Sequence, residues 1–156
     1  MKSLLAMLAL STALTAPGLA LARPVTLTTA MHAYGGNGVY LAVFVTDAQG
    51  VCQGSLWMAD GRSQYDQHPS DWYQATAGNH AEINAITGAR VGQGRALTIT
   101  LDLADALFDA GYVLHIDAAV EDMRNSPNEI VVPLTTAGAG QATPGRRCIF
   151  AFFYAM

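Results

Sequence analysis

Two cysteines, four histidines and a handful of arginines and carboxylates carry the chemistry open to this chain of 156 residues. Cys52 and Cys148 are the only thiols, and neither stands in a C-x-x-C pair, so a redox couple or a zinc site is disfavoured. An even cysteine count in an exported chain favours a disulfide between Cys52 and Cys148. In the chain-entropy account a loop of roughly 100 residues closed in this way contributes about 4–5 kcal/mol, less any strain. The histidines are His32, His68, His80 and His115, with no H-x-x-x-H spacing among them. His80-Ala81-Glu82 has the H-x-E spacing of zinc deaminases, but the Pro-Cys-x-x-Cys which that chemistry needs is absent. Ser55 sits in Gly-Ser-Leu, outside any nucleophile elbow, and Glu121-Asp122 are neighbours that would diverge on a strand. No catalytic set can be assembled, and a non-enzymatic role is expected.

Two weaker constellations remain. Asp102, Asp105 and Asp109 would share one face of a helix and form a weak cation site, although a solvated turn is the commoner outcome for such spacing. Arg62, His68, Trp72 and Tyr73 cluster in the least regular stretch, from Asp60 to Arg95. Interstrand loops are where β-sandwiches bind partners, and Trp and Tyr supply large contact areas, so His68, Trp72 and Tyr73 are read as a partner or ligand surface. The competing reading has Trp72 plugging the open end of the domain.

The elements that must position these groups are short strands. Val25, Leu27, Thr29 and Met31 alternate with polar or small residues and open the domain as a half-buried strand, after which Gly35-Gly36-Asn37-Gly38 reads as a hairpin turn. Val39–Thr46 is apolar almost throughout, as suits a central strand covered on both faces. Asp47–Gly50 makes a tight turn into Val51–Met58, and Ser70 could cap a short helix over Asp71–Ala77. Leu97, Ile99 and Leu101 alternate cleanly; so do Tyr112, Leu114, Ile116, Ala118 and Val120, whose opposite face would turn His115 and Asp117 to solvent or a partner. Pro133 lacks an amide donor and marks Glu129–Leu134 as an edge strand or strand end. The last strand would show Cys148, Phe150, Phe152 and Tyr154 on one face and Ile149, Ala151 and Phe153 on the other. About seven strands result, which predicts an all-β, immunoglobulin-like antiparallel two-sheet sandwich with a short helix in its long loop.

Lys2, the apolar run Leu4–Leu14 and Ala20-Leu21-Ala22 form the positive, hydrophobic and small-x-small parts of a signal peptide. The run is shorter than the roughly 20 apolar residues of a membrane anchor, and it lacks paired arginines. Residues 1–22 are therefore read as a signal peptide and 23–156 as a single domain of the periplasm. That domain carries seven arginines against twelve carboxylates, a formal charge of −5, which disfavours a nucleic-acid partner.

Asn84–Arg90, Leu97–Leu101, Asp109–Tyr112 and Ala118–Leu134 together resemble an uncharacterised family of predicted periplasmic domains. The resemblance implies an exported β-sandwich, associated with PepSY-type membrane proteins and flavin transferases, and so an accessory domain docking with a membrane redox or metal-uptake partner. A soluble carrier of a metal or of a flavin-like or anionic ligand is the alternative. Asn84–Arg90 also resembles the acceptor motif of flavin transferases, in which Thr/Ser-Gly-Ala-Thr ends on the threonine that receives FMN. Here Asn84 replaces the acidic residue and Arg90 stands at the acceptor position without a hydroxyl, so no covalent FMN is expected. Thr87, Gly88 and Arg90 remain a candidate non-covalent site, in which Arg90, with Arg95, would meet an anion.

Overall fold

The computed structural model of the chain describes residues 21–59, 87–88, 91–120 and 123–156. Seven long strands form the body: β1 (Ala22–Met31), β2 (Val39–Thr46), β3 (Cys52–Ala59), β5 (Ala96–Ala104), β6 (Val113–Val120), β7 (Ser126–Pro133) and β9 (Ile149–Ala155). Two-residue strands β4 (Thr87–Gly88) and β8 (Thr143–Pro144) lie at sheet edges. One sheet has the order β5-β1-β9-β8 and the other β4-β3-β2-β6-β7. All pairings are antiparallel except that of β3 with β4.

The predicted sandwich is therefore present, and its strand adjacency is that of an immunoglobulin-type domain with the first strand moved to the end of the chain. If β1, β2, β3, β5, β6 and β7 take the places of strands B, C, C′, E, F and G, then β9 lies beside β1 where strand A belongs. The alternation in the sequence sets the core. Val25 and Leu27 of β1, Leu41 and Val43 of β2, Leu114 and Ile116 of β6, Ile130 of β7 and Phe152 and Tyr154 of β9 meet between the sheets, all buried. β2 is buried on both faces, as its unbroken apolar run predicts, and β7 is an edge strand ending at Pro133.

Four expectations need correction. β1 and β2 do not form a hairpin; they lie in different sheets, and the glycine-rich stretch between them is a crossover. Gly36 suits the close approach there, since a Cβ would fall 3.0 Å from Val120 Cγ1 and 3.2 Å from Met123 Sδ and those side chains would have to give way. The phase of β9 is also reversed at its start. A register shift between Ala30 and Met31 of β1 places Ile149 opposite Met31 and leaves Phe150 as the extra residue, so Ile149 is buried and Phe150 is turned outward. Asp117 faces no solvent: it is fully buried on the outer face of its sheet, and His115 beside it is half-buried.

The fourth correction concerns the cysteines, which form no disulfide with each other. Cys52 pairs with Thr46, the last residue of β2, whereas the Cys148 carbonyl accepts the His32 amide at the end of β1, beside the start of β2. The length of β2, about 23 Å for its rise per residue, separates them, and a disulfide needs Cα atoms within about 7 Å. An even cysteine count and strand alternation carry no information on height along a strand. Burial, reinforced by the charge of Glu129, pushes the Cys148 thiol up to about 11 from an ordinary 9.0. Since the thiolate is the reactive form, Cys148 should be alkylated at least about a hundredfold more slowly in the folded protein than in urea at the same pH. Mass-spectrometric counting of label without reductant checks this, and label that reaches neither cysteine in urea until a reductant is added would show a disulfide after all.

Candidate functional site

The chemistry-bearing side chains of the described residues fall into two groups, one spent on structure and one left open. The first lies on the outer face of the β2–β6 sheet. The His115 ring stacks on Phe44, its cross-strand partner, with centroids 4.9 Å apart and planes 10° from parallel. Its Nε2 is 2.9 Å from Thr46 Oγ1 and its Nδ1 is 3.0 Å from Asn128 Oδ1, so both ring nitrogens are engaged. The Asn128 amide, in a left-handed conformation at φ 48°, donates to Asp117 Oδ1 at 2.8 Å. Cys52 packs beside this ladder against Ala42, Phe44 and Met58. These contacts bind the β6–β7 hairpin to the sheet.

The three aspartates of the second half do not converge. Asp102 lies in β5, Asp105 forms an ion pair with Arg23, and Asp109 accepts the Thr136 amide at 2.9 Å and its hydroxyl at 2.6 Å. Those bonds, the hydroxyl's first, hold the Asp109 carboxyl below its ordinary range. Among the described residues no group of three His, Cys, Asp or Glu side chains is arranged to hold a metal ion. The Tyr154 hydroxyl donates to the Thr135 carbonyl at 2.6 Å and accepts its amide at 3.1 Å.

The open group sits at the end of the sandwich where β7 and β9 begin. Arg124 and Asn125 lead into β7, Arg146 and Arg147 lead into β9, and one buried carboxylate ties the two segments together. Glu129, 1% exposed, accepts the Ser126 hydroxyl at 2.6 Å, the amides of Arg147 at 2.7 Å and Ile149 at 2.8 Å, and also the amide of Cys148. Burial alone would raise its pKa; the hydroxyl and the three amides outweigh that and hold it below the ordinary value. Arg147 also reaches across, donating from Nη1 to the Arg124 carbonyl at 3.4 Å.

Above this staple lies an open cavity of about 440 Å³, lined by Arg124, Asn125, Ser126, Pro127, Arg146 and Arg147. Three of the seven arginines downstream of residue 22 thus share one concavity, and none of the three pairs with a carboxylate among the described residues. All three guanidinium-bearing residues are exposed. Sequence reasoning missed this site. The Arg146-Arg147 doublet was visible, but nothing local connects it to Arg124; the link runs through Glu129, which reads in the sequence as one more edge-strand carboxylate.

Of the sites expected from the sequence, Thr87 and Gly88 form β4, whose backbone pairs in parallel with Met58 and Ala59 at the sheet edge. Arg90, His68, Trp72, Tyr73, Arg62 and His80 lie outside the described residues, as do the helix expected over 71–77 and most of the segment read as a signal peptide. Among the described residues no helix is long and apolar enough to cross a membrane.

A protein-family model described as "Predicted periplasmic protein (DUF2271)" matches residues 22–149, nearly the whole of the sandwich. No curated protein and no solved structure matches the chain.

Proposed function

We propose, from the premise that this chain belongs to the family of predicted periplasmic proteins DUF2271, that it works in the periplasm as a non-enzymatic binding domain. The observation that carries this reading is the division of labour among its polar groups. Glu129, Asp109, His115 and Tyr154 are each held by two or more structural hydrogen bonds, whereas the guanidiniums of Arg124 and Arg146 line an open cavity with no carboxylate against them among the described residues. Catalysis asks for a nucleophile or base poised with an unspent proton site, while binding asks for unspent donors in a concavity. The second description fits the cavity.

A docking role is the other form this function can take, and the outward face of β9 favours it. Phe150 is 62% and Phe153 37% exposed there, beside threonines of β1, and large exposed aromatics are the side chains that anchor interfaces. A PepSY-type membrane protein concerned with redox or metal uptake is the partner to test. Native mass spectrometry of protein taken from its own periplasm, beside crosslinking and membrane pull-down, tests both forms. A mass above that of the apo chain supports a carrier, and a recurrent membrane protein supports docking. A bare apo mass together with repeated recovery of no membrane protein would remove the binding-domain reading.

A further inference from the structure

We infer that the cavity above Glu129 is a binding site for a small soluble oxyanion carrying at least two negative charges, a phosphate monoester or a polycarboxylate, gripped by Arg124, Arg146 and Arg147. This assignment rests on the binding-domain reading and adds the chemical class of its ligand. Like charges brought together repel, and a protein that is net acidic has no general reason to gather three of its few cations around one hollow. Among the described residues, Glu129, the carboxylate that ties these segments together, does not pair with their guanidiniums. Its carboxylate is directed at one hydroxyl and three backbone amides, with Arg147 contributing its amide and not its guanidinium.

The same staple gives the site its rigidity. By fixing the amides of residues 147–149 against β7, Glu129 sets the spacing between the segment that bears Arg124 and the segment that bears Arg146 and Arg147. The bond from the Arg147 guanidinium to the Arg124 carbonyl closes the same gap. Guanidinium forks match the planar or trigonal oxygen arrays of carboxylate and phosphate, and the rest of the lining, Asn125 and Ser126, can offer neutral hydrogen bonds. Apolar lining is limited to Pro127 and the arginine stems, which argues against a flavin ring or a fatty chain as the group held. A single charge leaves two guanidiniums uncompensated. The volume of about 440 Å³ is in the range of small-molecule sites and exceeds what one inorganic ion fills.

The test is isothermal titration of the mature chain, at low salt, with inorganic phosphate, citrate and acetate, and of its R124Q and R146Q variants. Both substitutions are at exposed positions, and thermal melting of each variant confirms that the fold is kept. The assignment expects saturable binding of citrate and phosphate, acetate weaker by about tenfold or more, and a further loss of about tenfold in each variant, with affinity falling as salt rises. R23Q, at an arginine outside the cavity that is paired with Asp105, should bind as the parent does. Absence of binding by citrate and phosphate alike, or binding undiminished in the R124Q/R146Q/R147Q triple variant, would overturn it. Sedimentation with phosphatidylglycerol vesicles in the absence of any response to the soluble anions would also overturn it, by giving the guanidiniums to a lipid headgroup. Any of these failures leaves the binding-domain reading to its own experiment, because cargo or a membrane partner recovered from the periplasm does not depend on this cavity.

Discussion

Glu129→Ala is expected to destabilise the domain by roughly 3–5 kcal/mol, lowering its melting temperature by roughly 10–20 °C. The cost comes from what the substitution strands. Three consecutive amides, of Arg147, Cys148 and Ile149, lose their common acceptor, and two of those residues are buried where water does not replace it. The Ser126 hydroxyl, 8% exposed, loses its partner as well. Because β7 and β9 belong to different sheets, these bonds are polar links between the layers, and their loss also frees the entry to the last strand. Differential scanning calorimetry of the variant measures the effect; a shift of only a degree or two would mean that the carboxylate is dispensable.

Glu129→Gln separates the hydrogen bonds from the charge. Glutamine keeps an acceptor oxygen for the amides, so the loss should be smaller than for alanine, and the pH dependence should change. The native carboxyl lies below its ordinary value of 4.5, so its stabilisation is fully present above that value and is lost as pH falls through the lower, folded-state value. The parent domain should therefore weaken progressively below about pH 4.5, and the Gln variant should lose that part of its acid sensitivity. Parallel melts between pH 3 and 7 reveal the difference as converging curves at the acid end. In the Gln variant the Cys148 thiol would also lose one of the influences that keep it protonated, which the alkylation rate reports independently.

The seven strands were readable because a sandwich buries at least one face of each, and the period-two pattern of Val25–Met31 and Leu97–Leu101 records that burial residue by residue. Features that depend on how strands meet were not readable in the same way. Gly35–Gly38 has hairpin composition, yet the close approach of Val120 at the end of β6 and Met123 just after it, both far along the chain, is what favours glycine at position 36. Alternation assigns Cys52 and Cys148 to faces and says nothing of their position along a strand, so a bond that looked feasible spans the length of β2. His115 and Asp117 looked like solvent-facing polar residues because their partners, Phe44, Thr46 and Asn128, are supplied by neighbouring strands. The arginine cavity fails for the same reason: its two walls are about twenty residues apart in sequence, and the group that aligns them is one whose burial no local pattern announces.

The start of β9 offers the sharpest test of that distinction, because adjacent residues exchange the roles that simple alternation gives them. Ile149→Ala should cost about 2–5 kcal/mol, and Phe150→Ala about 0.5 kcal/mol or less, although phenylalanine is the larger side chain. Ile149 is fully buried opposite Met31 and packs in the core between the sheets, so truncation leaves a cavity that backbone held by Glu129 cannot close. Phe150, 62% exposed, gives up little buried surface and an edge contact with the His32 ring, whose centroid lies 5.4 Å away. Had the alternation run unbroken from Phe152 and Tyr154, the ranking would be the reverse, with Phe150 the core residue. Chemical denaturation of the two variants decides between the arrangements, since each midpoint reads one side chain's burial. A larger loss for Phe150 than for Ile149 would remove the bulge, and with it the alignment of the Arg147, Cys148 and Ile149 amides on which the arginine-lined cavity is built.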